Sequence, residues 1–131
     1  MIFAKWATYK DVLALGTVEK VSELGCDATC VLVYVNGTFA GWGALNDGAR
    51  VGPVCVVEGY ENAGVEELII RMTIRRAFEN GCGGCAVVIS KDAEHARQLK
   101  LYYSLGFEKT DETDAVVYLK REGDVGGQCE N

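Results

Sequence analysis

Apolar residues recur along this chain with two different periods, and the switches between them predict seven strands and three helices. Residues 2–6 are apolar enough for a short strand. Thr8 suits a helix N-cap, and Val12, Leu15, Val18 and Val21 then recur every three residues, predicting a helix to about Leu24 that Gly25 stops. Residues 30–35 read as a strand, Asn36-Gly37 as a two-residue hairpin turn, and 38–45 as the returning strand, with Phe39 and Trp42 among small residues. Asn46-Asp47-Gly48 turns the chain into a strand over 51–57. Pro53 offers that strand no ladder donor, so it belongs at an edge or a bulge.

Residues 64–80 carry the clearest helical pattern. Val65, Leu68, Ile69 and Met72 form one apolar face, which Ile70, Ile74, Ala77 and Phe78 widen. Glu67, Arg71, Arg75 and Glu79 recur every four residues as the solvated ridge, and Gly81 ends the helix. Residues 85–90 read as a buried strand. Asp92 is the expected cap of a helix over 93–105 that Gly106 terminates. Strands over 107–109 and 115–120 then flank an acidic loop, Thr110-Asp111-Glu112-Thr113-Asp114. The pattern divides into one domain over 1–121 and a tail over 122–131 with almost nothing to bury.

Composition narrows the function classes. The chain has 131 residues, 49% of them hydrophobic, enough for one full core. Its net charge of −6 and lack of a basic patch argue against nucleic acid. A cationic small molecule or a basic protein surface suits that charge better. No run approaches the roughly 20 apolar residues of a membrane span. The first residues do not read as a secretory signal, which gives cytoplasmic placement as the expectation. The six cysteines, at 26, 30, 55, 82, 85 and 129, are then expected as reduced thiols. Cys26-x3-Cys30 with Cys82-x2-Cys85 is a conceivable zinc set. However, Cys30 and Cys85 each open an apolar strand, so buried free thiols and no metal are the expectation.

The run Leu101-Tyr102-Tyr103-Ser104-Leu105-Gly106-Phe107 resembles the last helix-to-strand turn of the GNAT superfamily of N-acetyltransferases. The element order matches that family over residues 1–121. Asn36-Gly37-Thr38-Phe39-Ala40-Gly41-Trp42 looks like its second hairpin, and Val56-Val57-Glu58-Gly59-Tyr60 like its fourth strand running toward the cofactor loop. The resemblance implies a single α/β domain, a mixed, mostly antiparallel sheet with helices on both faces. It implies acetyl transfer from acetyl-coenzyme A to a primary amine of a small molecule or protein, possible homodimers, and a V-shaped cleft between the fourth and fifth strands. It assigns Tyr102 as the acid that protonates the departing thiolate. Val56, Val57, Gly64, Val65, Glu66, Glu67 and His95 are assigned to the coenzyme.

The chain departs from that pattern most seriously in the cofactor loop. Family members carry Gln or Arg, two residues, Gly, one residue, and Gly or Ala where this chain has Glu61-Asn62-Ala63-Gly64-Val65-Glu66. Only Gly64 matches. The family holds a diphosphate there on backbone N–H groups. At an effective dielectric of about 20, a carboxylate about 5 Å from a phosphate charge costs roughly 3 kcal/mol, whereas micromolar binding totals about 8 kcal/mol. Two carboxylates facing inward would abolish binding, and two turned to water would cost little. A fold that has lost coenzyme binding and serves as a binding or dimerisation module is therefore the rival reading. The strand over 51–57 holds no carboxylate, leaving Asp47, Glu58 and a water relay as candidates for the base.

Overall fold

The computed structural model describes residues 1–15, 24–25, 27–46 and 49–123. The chain builds one seven-stranded sheet in the order β1-β2-β3-β4-β5-β7-β6. Its strands are β1 (Ile2–Thr8), β2 (Thr29–Val35), β3 (Thr38–Asn46), β4 (Arg50–Val56), β5 (Gly84–Ser90), β6 (Glu108–Glu112) and β7 (Val116–Glu122). Its helices are α1 (Tyr9–Leu13), α2 (Val65–Glu79) and α3 (His95–Ser104). Every neighbouring pair is antiparallel except β4 and β5. This is the mixed, mostly antiparallel α/β sheet that the sequence led us to expect.

The first four strands form an arm covered on both faces. Alternation sends Cys30 and Leu32 to one face, with Val12 of α1, Trp42 and Ala44. Val31 and Val33 point to the other, with Val65 and Ile69 of α2. A Cβ added at Gly43 would run into the Ile69 side chain, so the small residues of β3 are what let α2 settle on the sheet. Arg76 of α2 also stacks on the Trp6 ring of β1, 4.2 Å from its centre.

The arm β5-β7-β6 is covered on one face only. Cys85, Val87 and Ile89 pack with Val117 and Leu119 of β7, beneath Ile70 and Ile74 of α2 and Tyr102 and Leu105 of α3. On the opposite face Val88 and Tyr118 pair across the strands and remain 43% and 38% exposed.

Several element ends differ from the sequence expectation. The Thr8 cap holds: its hydroxyl accepts from the Asp11 N–H at 3.2 Å while the Asp11 carboxylate accepts from the Thr8 N–H at 2.9 Å. The helix closes after Leu13, however, and residues 16–23 lie outside the described set, as do Cys26, Asp47 and 124–131. Asp92 does not cap α3. Its carboxylate accepts the Glu94 N–H at 2.9 Å in a tight local turn, which delays the helix to His95 with Glu94 at the cap. The expected acidic loop is shorter, because β6 continues through Glu112. β7 continues through Glu122, one residue past the expected domain edge.

Candidate functional site

The two arms meet at a single ladder position. Arg50 of β4 opposes Ala86 of β5, and the Ala86 N–H donates to the Ala49 carbonyl at 2.9 Å. Beyond that point the strands part. The gap is a cleft of about 430 Å³ between β4 residues Val51 to Val54 and β5 residues Val87 to Ser90. Asn46, Arg50, Glu66, Asp92, Gln98 and Tyr102 complete its lining.

Two features of β4 hold the gap open. First, Val54 opposes Gly43 and Val51 opposes Leu45, so Gly52 and Pro53 together face Ala44 as a bulge. Pro53 supplies no N–H there, and the strand bends. Buried Asn46 secures the bend: its amide nitrogen donates to the Gly52 carbonyl at 2.8 Å, and its amide oxygen accepts from the Gly25 N–H at 2.9 Å. Second, the Val57 N–H donates to the Ala40 carbonyl at 2.8 Å, so by strand alternation the peptide groups of Val54 and Val56 point away from β3, toward the cleft. The Val57 carbonyl accepts from Tyr60, which leaves Val57 only its side chain to offer a ligand.

The loop after β4 ends in a left-handed Gly64 (φ 81°), from which α2 starts with no side-chain cap. The N–H groups of its first turn, at Val65, Glu66 and Glu67, therefore lack a capping acceptor. The two anomalous carboxylates behave differently. Glu61 curls back on its own loop and accepts the Gly59 N–H at 2.9 Å. Glu66 is not turned to water. Its side chain is 17% exposed, and its carboxylate accepts from the Arg97 guanidinium of α3 at 2.6 Å. Arg97 also donates to Glu94 at 2.7 Å. These two bonds, Glu66 first, push the guanidinium's proton affinity up further. Glu67 pairs along its own helix with Arg71 at 2.8 Å.

Tyr102 lies on the cleft, 4% exposed, edge-on to Phe107 with ring centres 5.1 Å apart. Burial, with smaller contributions from Glu66 and Cys85, pushes its hydroxyl well above the ordinary phenol range, so the ring stays neutral. His95 lies off the cleft lining. Its Nδ1–H donates to the Asp92 carbonyl at 2.8 Å, which folds the ring back over the start of α3. The cleft position one turn before Tyr102 belongs to Gln98. Glu58 sits in the exposed turn after β4, outside the lining, and the carboxylates that line the cleft are Glu66 and Asp92.

Sequence reasoning missed Asn46, Gln98, Asp92 and Arg97. Gln98 was signalled by its spacing of four from Tyr102. Asn46 read only as the start of a turn. The only local signal at Arg97 is its spacing of three from Glu94, and its cleft-side partner Glu66 lies 31 residues away.

Among the described residues, no cluster of three metal-ligating side chains occurs. Among the described residues, Cys30, Cys55, Cys82 and Cys85 form no disulfide, and no helix is long and apolar enough to cross a membrane. Burial pushes Cys30 and Cys85 up to about 11.

No protein-family model matches the sequence, and no curated protein matches it significantly. Solved structures do match the fold. The chain is similar to an IAA acetyltransferase from Bacillus cereus, at 15% identity over 93% of this chain and 99% of that one, with a TM-score of 0.72. It is similar to a GNAT family acetyltransferase from Elizabethkingia anophelis with acetyl-CoA bound, at 18% identity over 92% and 97%, TM-score 0.72. It is also similar to the PaiA N-acetyltransferase from Thermoplasma acidophilum in complex with coenzyme A, at 10% identity over 93% and 99%, TM-score 0.71. With the strand order and the parted β4 and β5, these likenesses establish that the chain adopts the GNAT N-acetyltransferase fold.

Proposed function

We propose that this protein transfers an acetyl group from acetyl-coenzyme A to a primary amine. The observation that carries the reading is the cleft, where unpaired β4 peptide groups, an uncapped α2 N-terminus and a buried neutral tyrosine converge. The pantetheine arm would lie along Val54 and Val56, whose peptide groups supply the alternating donors and acceptors that its amides need. The N–H groups of Val65 to Glu67 would receive the diphosphate.

The amine nitrogen attacks the thioester carbonyl carbon, and the carbonyl electron pair moves to oxygen. A β4 N–H stabilises that charge. When the pair returns, the C–S bond breaks and sulfur leaves with its electrons. Tyr102 donates a proton to the sulfur, while the nitrogen's proton passes to Asp92 or water. Because burial raises the Tyr102 phenol, the phenolate left behind is strongly basic, and it takes up the proton released from nitrogen by way of Asp92 or water, which restores the neutral ring. Tyr102 is thus the catalytic residue and Asn46 the positioning residue that fixes β4.

The acceptor we propose is cationic. The net charge of −6 and Asp92 at the cleft support it. The turn after β6 adds Asp114 nearby, since the Lys91 N–H beside Asp92 donates to the Ala115 carbonyl at 2.8 Å. Glu112 contributes less, because Lys109 and Lys91 hold it at 2.7 and 2.6 Å and pull its carboxyl down to about 2. A cytoplasmic setting, in which thiols stay reduced, is part of the same reading.

Mass spectrometry of spermidine, lysine and a lysine-containing peptide incubated with acetyl-coenzyme A tests the reading. We expect a 1:1 acetylated product from at least one amine, formed faster at low salt. A donor that binds without turnover on this panel contradicts transfer to amines.

A further inference from the structure

We propose that Arg97 is the residue with which this chain holds the coenzyme diphosphate, and that the diphosphate takes the place the Glu66 carboxylate now occupies on its guanidinium. The inference rests on the coenzyme reading above and explains how an acidic cradle serves it.

Four observations converge. Glu66 stands in the first turn of α2, where the uncapped N–H groups and the helix dipole favour an anion, and its carboxylate is the anion already there. Arg97 reaches it across the gap from α3, a contact 31 residues apart in sequence, at 2.6 Å. The pair is layered: the Glu66 side chain is 17% exposed and that of Arg97 54%, so the guanidinium forms the solvent-side rim. An anion arriving from water meets Arg97 before it meets Glu66. Finally, a guanidinium fork suits phosphate as well as it suits carboxylate.

A half-exposed ion pair adds little to stability, so exchanging its anion disturbs the fold little. Glu94 stays on the Nε side of Arg97 through the exchange and keeps the side chain aimed at α2. Among the neighbouring charges, Arg50 lines the cleft at the ladder position where the two arms join, on β4 rather than on α3. Arg71 is turned along its own helix to Glu67, and Glu61 is folded onto the Gly59 N–H. Displacement leaves the Glu66 charge on the cleft it lines, a penalty set against the gain at Arg97 and one that Glu66→Gln removes. The departure from the small residue of the family pattern at position 66 is thereby matched by a cation at position 97.

The test is calorimetric titration with two donors: acetyl-coenzyme A, and S-acetylpantetheine, which carries the same thioester arm without phosphates. Arg97→Ala should weaken acetyl-coenzyme A about tenfold and leave S-acetylpantetheine within about twofold. Arg97→Lys should recover part of that loss, and Glu66→Gln should tighten acetyl-coenzyme A severalfold by freeing the guanidinium. Thermal melting of each variant checks that the fold is kept. Equal weakening of both donors by Arg97→Ala means that Arg97 only braces α2 against α3, and this overturns the proposal. Unchanged binding of both donors overturns it too. If S-acetylpantetheine binds while no variant binds acetyl-coenzyme A, the diphosphate role fails and the acyl-donor cleft stands. Failure of both donors with every variant overturns the coenzyme reading itself, and this inference with it.

Discussion

The two arms of the sheet are built from similar strands and do different work. β2 buries Cys30, Val31, Leu32 and Val33 in succession, because α1 covers one face and α2 the other. β5 buries only Cys85, Val87 and Ile89 and leaves Val88 and Ser90 to solvent. A strand covered twice reads as a continuous apolar run, and a strand covered once alternates. The first arm is a platform. The second can part from it, since among the described residues one ladder position joins their strands. The cleft is the consequence: it opens where the doubly covered arm ends.

Substitutions can sharpen that contrast, beginning with the largest effect. Ile69→Ala should destabilise the protein by about 3–5 kcal/mol in urea unfolding, because it empties a fully buried position on the platform. A loss below about 1 kcal/mol would mean that α2 is not seated as described. Tyr102→Phe removes only a hydroxyl at the cleft. It should lower kcat by about 100-fold with little change in melting temperature. An unchanged rate would leave Tyr102 as packing against Phe107.

The two buried thiols give one pH probe in each arm, Cys30 in the first and Cys85 in the second. Both are raised from 9.0 to about 11 by burial, so the folded state keeps protons that the unfolded chain loses. Their contribution is complete below about pH 9 and is lost as the pH rises through 11, about 2–3 kcal/mol each. Cys30→Ala and Cys85→Ala should each flatten part of that alkaline decline in stability measured from pH 8 to 11. A decline as steep in both variants as in the wild type would place the thiols in contact with water. The smallest effect belongs to the bare face: Val88→Ser should shift stability by less than about 0.5 kcal/mol. A larger loss would mean that this face is covered in solution.

How much of this was legible in the sequence follows the same division. The platform was, because its signals are local: Asn36-Gly37 makes the turn with φ of 51° and 85°, and the apolar face of α2 repeats at helical spacing. Pro53 announced the bulge in β4. The Gly106-Phe107 turn placed Tyr102, whose place on the cleft depends on the helix that ends there. The coenzyme side of the site was harder to read. The start of α3 was misplaced because Asp92 can serve a turn or a helix cap with the same side-chain oxygen, and only the tertiary path decides. Glu66 looked like an obstacle because its partner lies on another helix. The sequence alone allows that carboxylate to face the phosphates or water, and the structure supplies a third arrangement in the ion pair with Arg97.

The central claim is that the cleft between the arms takes acetyl-coenzyme A despite its acidic rim. Titration of the wild-type protein with acetyl-coenzyme A by isothermal calorimetry tests it most directly. The account predicts one site per chain with micromolar affinity, about −8 kcal/mol, and a fold stabilised by about 2.7 kcal/mol at a hundredfold excess over Kd. No heat of binding and no thermal shift at millimolar acetyl-coenzyme A would contradict it, and would leave a GNAT fold that has given up its coenzyme.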